Sequence, residues 1–304
     1  MKKIILLLII GLCGGATFCF GQQYPETDFY SVNPYLINPG FTGALTGLSG
    51  YVTGRRPMTQ QVNQISNYRI AVNQSLERTQ LGIGGKMTYD RRAFFESLYL
   101  DFSFAYKLVL DHKRVLSLGA DVGIVNRSYS LDELSAYVDL SDPTLSSDYY
   151  YGTNFQMGLG LAYYSTSIEA GIAMPYIFDD SQAINQYFNA YFAYKHYFSQ
   201  DRWILKPNAY WVSYLDKSEK VNLSLFVENR GRFWGQLGVS STKEVSIGMG
   251  LKFDIYQLSY SYAYNWNQNS VAPSSTGEIM LSIHYSKSNK EFAHITTKRN
   301  RRVK

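Results

Sequence analysis

From about residue 48 to residue 286 the chain alternates, with one side chain apolar and the next small or polar. "YQLSYSYAYNW" puts Tyr256, Leu258, Tyr260, Tyr262 and Tyr264 on one parity and Gln257, Ser259, Ser261 and Ala263 on the other. "SLYLDFSFAYKL", "VNLSLFVE", "VSIGMGLKF" and "EIMLSIHY" repeat the pattern. A period of two sustained this long belongs to strands with two different faces, because successive side chains of a strand point to opposite sides. In an aqueous sandwich the apolar face would be core, and many of the 27 tyrosines would bury a hydroxyl that needs a partner. At a lipid boundary the ring lies in hydrocarbon and the hydroxyl among headgroups.

Fourteen such segments can be counted, most of them longer than soluble strands and matched to a tilted crossing of a bilayer. The connections after the even strands are short: "QSLER", "LDHK", "YS", "SQD", "NRG" and "FD". Several after the odd strands are long, including Ser128 to Tyr149 and "PYIFDDSQAIN", while "DKSE" and "SSTKE" are exceptions. Short turns on one rim and long loops on the other characterise outer-membrane barrels. The inward parity carries Asp101, Lys107, Asp121, Glu169, Lys195, Glu228 and Lys252. Such charges are expensive against lipid and comfortable in a hydrated lumen. Small residues in "LGIGG", "GLGLAYY", "GIAM" and "GMG" suit strands crowded against interior content. The fold expected is all-β, a single antiparallel transmembrane β-barrel of about 14 strands.

Residues 1–21 read as a secretory signal peptide: a basic start at Lys2-Lys3, an apolar run, and small residues Cys19 and Gly21 before Gln22. Both cysteines fall in it, so the exported chain is expected to use no disulfides. No later segment approaches the length of a membrane helix. The net charge of +5 reflects the ends: nine of the 29 basic residues lie in the signal and the tail, leaving 20 against 23 acids in the body. It gives no support for nucleic-acid binding. Residues 287–304 form a basic tail, read as a solvated end that could also attract acidic partners. Residues 22–47 precede a barrel spanning 48–286, and an even strand count puts both termini in the periplasm.

A search for chemistry finds little. His112, His196, His284 and His294 show no metal-ligand spacing, and no G-x-S-x-G elbow occurs. "GIGGK" lies inside a strand with no helix after it. The acid pairs Asp132-Glu133 and Asp179-Asp180 read as solvated loop charge more readily than as calcium ligands. No enzyme, cofactor or metal site is expected.

Barrel architecture leaves "DFYSVNPYLINPGFTGALTG", residues 28–47, unexplained. Its Asn-Pro pairs and glycines forbid a regular helix or long strand, yet Phe29, Tyr30, Tyr35, Leu36, Ile37 and Phe41 are too apolar for a free linker. Such a segment must pack on something, either the barrel interior or a periplasmic partner. "FYSVNPYLINPGFTGALTG" resembles the start of mature PorP/SprF-type proteins of the type IX secretion system, with the correspondence at Asn33, Pro34, Asn38, Pro39 and Gly43. "GRRPMTQ", "LSDPTL", "NFQMGLGLAYYS", "LKPNAYW" and "GEIMLSIHY" are similar as well.

The resemblance implies an outer-membrane barrel that serves type IX secretion, through periplasmic components or by secreting or holding a large surface adhesin of the gliding type. On this reading the partners are outer-membrane lipid, the adhesin's C-terminal domain, and secretion components at the periplasmic rim. The 128–149 loop mixes aromatics and acids as interfaces do. Asp132, Tyr137, Asp142 and Tyr149 are its expected contacts. The competing reading is an outer-membrane channel or transporter for small solutes, since fourteen strands enclose a wide lumen unless it is filled.

Overall fold

The computed structural model describes residues 26–58, 65–76, 79–92, 95–129, 152–179, 186–199, 202–214, 218–229, 232–267 and 273–286. Its strands are β1 (Leu48–Pro57), β2 (Ile65–Leu76), β3 (Leu81–Arg92), β4 (Phe95–Asp111), β5 (Arg114–Tyr129), β6 (Gly152–Ser165), β7 (Ile168–Asp179) and β8 (Tyr187–Tyr194). They continue with β9 (His196–Phe198), β10 (Trp203–Tyr214), β11 (Glu219–Asn229), β12 (Phe233–Ser240), β13 (Glu244–Phe253), β14 (Tyr256–Asn265) and β15 (Ser275–Tyr285). A one-residue break at Lys195 separates β8 from β9, and both pair with β10, so the two are one crossing and the barrel has fourteen. Every neighbouring pair is antiparallel, and β1 pairs with β15 from Leu48↔Tyr285 to Pro57↔Thr276. That pairing closes the sheet into a barrel.

The period of two sorts the wall into two faces. Phe102 is 68% exposed and Leu237 60%, while the intervening Ser103 is fully buried. Tyr256, Leu258, Tyr260 and Tyr264 point outward, and Ser259, Ser261 and Ala263 point inward. A continuous outward band of Leu, Ile, Val, Phe and Tyr would be untenable in water and is the surface hydrocarbon requires. Leu237, opposite Ile247 and Leu225, lies mid-strand in that band. Leu237→Arg is expected to cost about 2–4 kcal/mol in equilibrium unfolding from phospholipid vesicles, and Val245→Arg at the rim no more than about 1 kcal/mol. Equal costs at the two depths would contradict the membrane placement.

One strand departs from expectation. The alternation predicts a strand over 166–174 followed by the loop "PYIFDDSQAIN", but β7 runs on to Asp179. Against β6 the register shifts between Met157 and Leu159, and Pro175–Ile177 face Gly158 in the gap. A bulge accommodates Pro175, whose missing N–H would break a regular ladder, and the strand then resumes.

The two rims are unequal. Two-residue turns such as His112-Lys113, Thr166-Ser167 and Asp254-Ile255 mark one rim. The connection between Tyr129 and Gly152 belongs to the other. β1 begins and β15 ends at the short-turn rim.

Candidate functional site: a plug bedded in the lumen

Residues 26–47 lie inside the barrel. Three short 3₁₀ turns, Asp28–Ser31, Pro34–Leu36 and Pro39–Phe41, carry the chain between the rims. The Asn-Pro pairs explain the form: each proline opens a turn, where its missing N–H costs nothing, and Asn33 and Asn38 precede them in extended backbone or near it. Thr27 and Asn38 cap their turns by accepting from the N–H groups of Phe29 and Gly40. Gly43 and Gly47 hold φ of +60° and +82°, and a Cβ at Gly47 would lie 2.2 Å from the Tyr285 carbonyl.

The turns satisfy some of their own carbonyls, such as those of Phe29, Pro34 and Pro39, and the barrel supplies donors to others. The Lys206 ammonium donates to the Ser31 carbonyl, the Asn189 amide to Ile37 at 2.9 Å, and the Lys107 ammonium to Gly43. Lys107 also donates to Ser75 at 2.8 Å. In return Asn38, fully buried, donates from Nδ2 to the Leu161 and Ile172 carbonyls, each at 3.1 Å. Gly43 N–H donates to Asn73 at 3.1 Å. The plug's aromatic rings pack on inward rings of the wall: Tyr30 stacks on Tyr210 at 4.9 Å, and Phe29 meets Trp234 edge-on at 6.2 Å.

Glycines form the bed. A Cβ at Gly82 would come within 2.0 Å of the Thr42 carbonyl oxygen, at Gly119 within 2.3 Å of Pro39, and at Gly160 within 2.1 Å of the Asn38 oxygen. The small-residue stretches of β3, β6 and β7 are therefore the floor under the plug. "GMG" has another use, since Gly250 makes room for the Trp234 indole.

Ion pairs hold the plug's first residues. Asp28 meets Arg55 at 3.0 Å, and Glu278 accepts from Thr27 Oγ1 and the Asp28 N–H, each at 2.7 Å. Glu26 meets Lys220 at 2.7 Å. Burial alone would raise the Glu26 carboxyl, but Lys220, with Arg55 behind it, holds it below its ordinary value. The sign follows directly: this pair stabilises above the unfolded carboxyl's pKa and is lost only as pH falls through the lowered folded value. Lys220 and Glu244 stand at the strand ends of the rim opposite the start of β1, so the plug spans the barrel's height. The expectation that both termini share one side describes β1 and β15; Glu26 is at the other end.

The expectation of a hydrated lumen is corrected. Asp101, Lys107, Asp121, Glu169 and Lys195 face inward and are buried. They are partnered: Lys86 pairs with Asp121 at 2.5 Å and Lys195 with Glu169 at 2.7 Å, Asp101 accepts from the Gln156 amide, and Lys107 donates to Gly43 and Ser75. Glu228 and Lys252 form a half-buried pair near the short-turn rim. Buried charge persists only when matched, and the plug displaces the water that would otherwise have solvated it.

Of the motif residues, Asn38, Pro39 and Gly43 contact the bed, while Asn33 is buried with its Nδ2 unpartnered among the described residues and Pro34 starts the second turn. Asp132, Tyr137, Asp142 and Tyr149 lie outside the described residues, as do 1–21 and the tail from 287. Sequence reasoning missed Arg55, Gly119, Lys206, Lys220 and Glu278; the inward parity of each was the available signal. Among the described residues no group of three or more His, Cys, Asp or Glu could hold a metal ion.

Four of the five quoted resemblances converge on this plug; "LSDPTL" lies outside the described residues. "GRRPMTQ" supplies Arg55, "NFQMGLGLAYYS" supplies Gly160, "LKPNAYW" supplies Lys206 and Tyr210, and "GEIMLSIHY" supplies Glu278. The family model described as type IX secretion system membrane protein PorP/SprF matches residues 19–285. The chain belongs to the PorP/SprF family. A search of curated proteins finds no match. Among solved structures, the P. putida toluene transporter TodX is similar at a TM-score of 0.52 and 9% identity, covering 84% of this chain and 95% of TodX. A mutant Rh. blastica porin aligns at a TM-score of 0.38 and 10% identity over 79% of this chain and 99% of the porin, too weakly to carry an argument. At such identity TodX shows the fold alone: an outer-membrane type of barrel. Family and fold together make this PorP/SprF chain an outer-membrane component of type IX secretion.

Proposed function

We propose that this barrel is a sealed, non-enzymatic accessory of type IX secretion that holds or helps deliver a large secreted partner, such as an adhesin of the gliding type, at the cell surface. The observation that carries the reading is the filled lumen. A segment that spans the barrel, hydrogen-bonded to its wall and bedded on glycines, suits an anchor better than a conduit. In this reading residues 48–286 are the membrane anchor, 1–21 are removed on export, and the short-turn rim faces the periplasm and its secretion components. The longer connections face outward, and the partner's C-terminal domain engages them through Asp132, Tyr137, Asp142 and Tyr149.

Deleting residues 130–147 tests this. The barrel is expected to keep its heat-modifiable gel mobility while surface display of the partner falls to background. Normal display in that variant would remove the assignment. The basic tail is proposed as a periplasmic attractor of acidic partners; truncation after Lys287 should lower partner recovery in low-salt pull-downs, and unchanged recovery would dismiss it.

A further inference from the structure

At the rim opposite the start of β1 the plug does not fill the barrel to its mouth. A pocket opens above Tyr30 and Ile37, with Tyr187, Tyr210 and Tyr214 in its walls. Here the connections are short: β10 is joined to β11 across 215–218 and β12 to β13 across 241–243. These are the two connections, "DKSE" and "SSTKE", that broke the pattern of long loops on this side.

The charges around it do not balance. Lys220 is shared by two carboxylates, Glu26 at 2.7 Å and Glu244 at 3.8 Å. Below them Arg55 is shared by Asp28 at 3.0 Å and Glu278 at 3.7 Å. Among the described residues, then, four acids share the two cations that lie within 4 Å of them. Glu244 lines the pocket with its side chain only 15% exposed, and its ion pair with Lys220, at 3.8 Å, is too long for a hydrogen bond. Aromatic walls beside surplus carboxylate are the chemistry that accepts a guanidinium or ammonium group. The ring faces attract the cation, the carboxylate pairs with it, and low local dielectric strengthens both. A guanidinium suits the site better than an ammonium because it is more weakly hydrated and stacks on rings.

We propose that this pocket is a socket for an arginine-bearing, aromatic-flanked peptide segment of the exported partner. The inference rests on the attachment reading for its biological occupant and on the pocket alone for its chemistry. The test uses the full barrel purified in detergent and two dye-labelled amidated peptides, Gly-Phe-Arg-Phe-Gly and Gly-Phe-Glu-Phe-Gly, followed by fluorescence anisotropy. The arginine peptide is expected to bind at least about tenfold more tightly than the glutamate peptide, with affinity falling as salt rises. Glu244→Gln and Tyr214→Ala should each weaken it by about tenfold while circular dichroism and heat-modifiable mobility stay unchanged. Equal binding of the two peptides, or tight binding that survives both substitutions, overturns the socket. Because the assay contains no partner protein, its outcome is independent of the loop-deletion experiment. Lost display in the 130–147 deletion together with equal peptide binding would keep the anchor and remove the socket.

Discussion

A barrel lacking residues 27–46 is expected to form stable ion channels in planar bilayers where the intact protein forms none. The wall does not need the plug in order to close: each strand pairs with its neighbours from β1 round to β15 and back, and its outward band remains in lipid. The loss is internal. Lys107, Lys206, Asn189 and Glu278 would exchange plug partners for water and line an aqueous lumen, which fourteen strands leave wide enough to pass ions. The two readings of the family separate here. A solute channel should conduct with the plug in place, whereas a sealed anchor should conduct only without it. Conductance in the intact protein would sink the anchor reading, and a silent deletion variant would show that the lumen is filled by something else.

The second large effect comes from single residues where the plug meets its bed. Asn38→Ala removes donations to the Leu161 and Ile172 carbonyls and the cap on Gly40, leaving buried polar groups unpaired. At about 1 kcal/mol for each bond, the loss should be about 3 kcal/mol of plug seating. Gly119→Val acts from the other side. Its Cβ would need to sit 2.3 Å from the Pro39 backbone, and neither the plug's turn nor the β5 ladder can yield that far without breaking bonds. Its cost should be about 3 kcal/mol or more, and the plug should leave before the wall unfolds. Both variants should open intermittent channels and make residues 26–47 cleavable by protease. Gly50→Ala is the control, since nothing lies within 4 Å of a Cβ there. If Gly119→Val stays closed and resistant to protease, the bed does not hold the plug.

The tyrosine stripe from Tyr256 to Tyr264 was legible from its own residues, because facing is a local property: parity in the strand decides it, and parity is written in consecutive letters. The same rule sent Asp101, Lys107, Asp121 and Glu169 inward. It misjudged what they would meet there: the small residues of "LGIGG" and "GLGLAYY" pointed to interior content, but nothing local said that this content would reach those charges. Pro175 misled in the other direction, because a bulge can absorb a proline without ending the strand, and whether it does depends on the partner strand. The oddity of residues 28–47 was visible, as was their need for a packing surface, from apolar side chains on a backbone that could form neither helix nor strand. That the surface is the barrel's own interior was not.

The sequence by itself determined the closed β wall, its lipid-facing side and the presence of an irregular apolar segment ahead of it, because each follows from spacings of a few residues. Only the tertiary structure decided that this segment crosses the lumen, which glycines make its bed and which charges it neutralises. Asn38 meets Leu161, and Thr27 meets Glu278, across separations of 123 and 251 residues. No short-range pattern encodes such pairings; they exist because closing the sheet brings distant inward-facing residues around one cavity, which the chain's own beginning then fills.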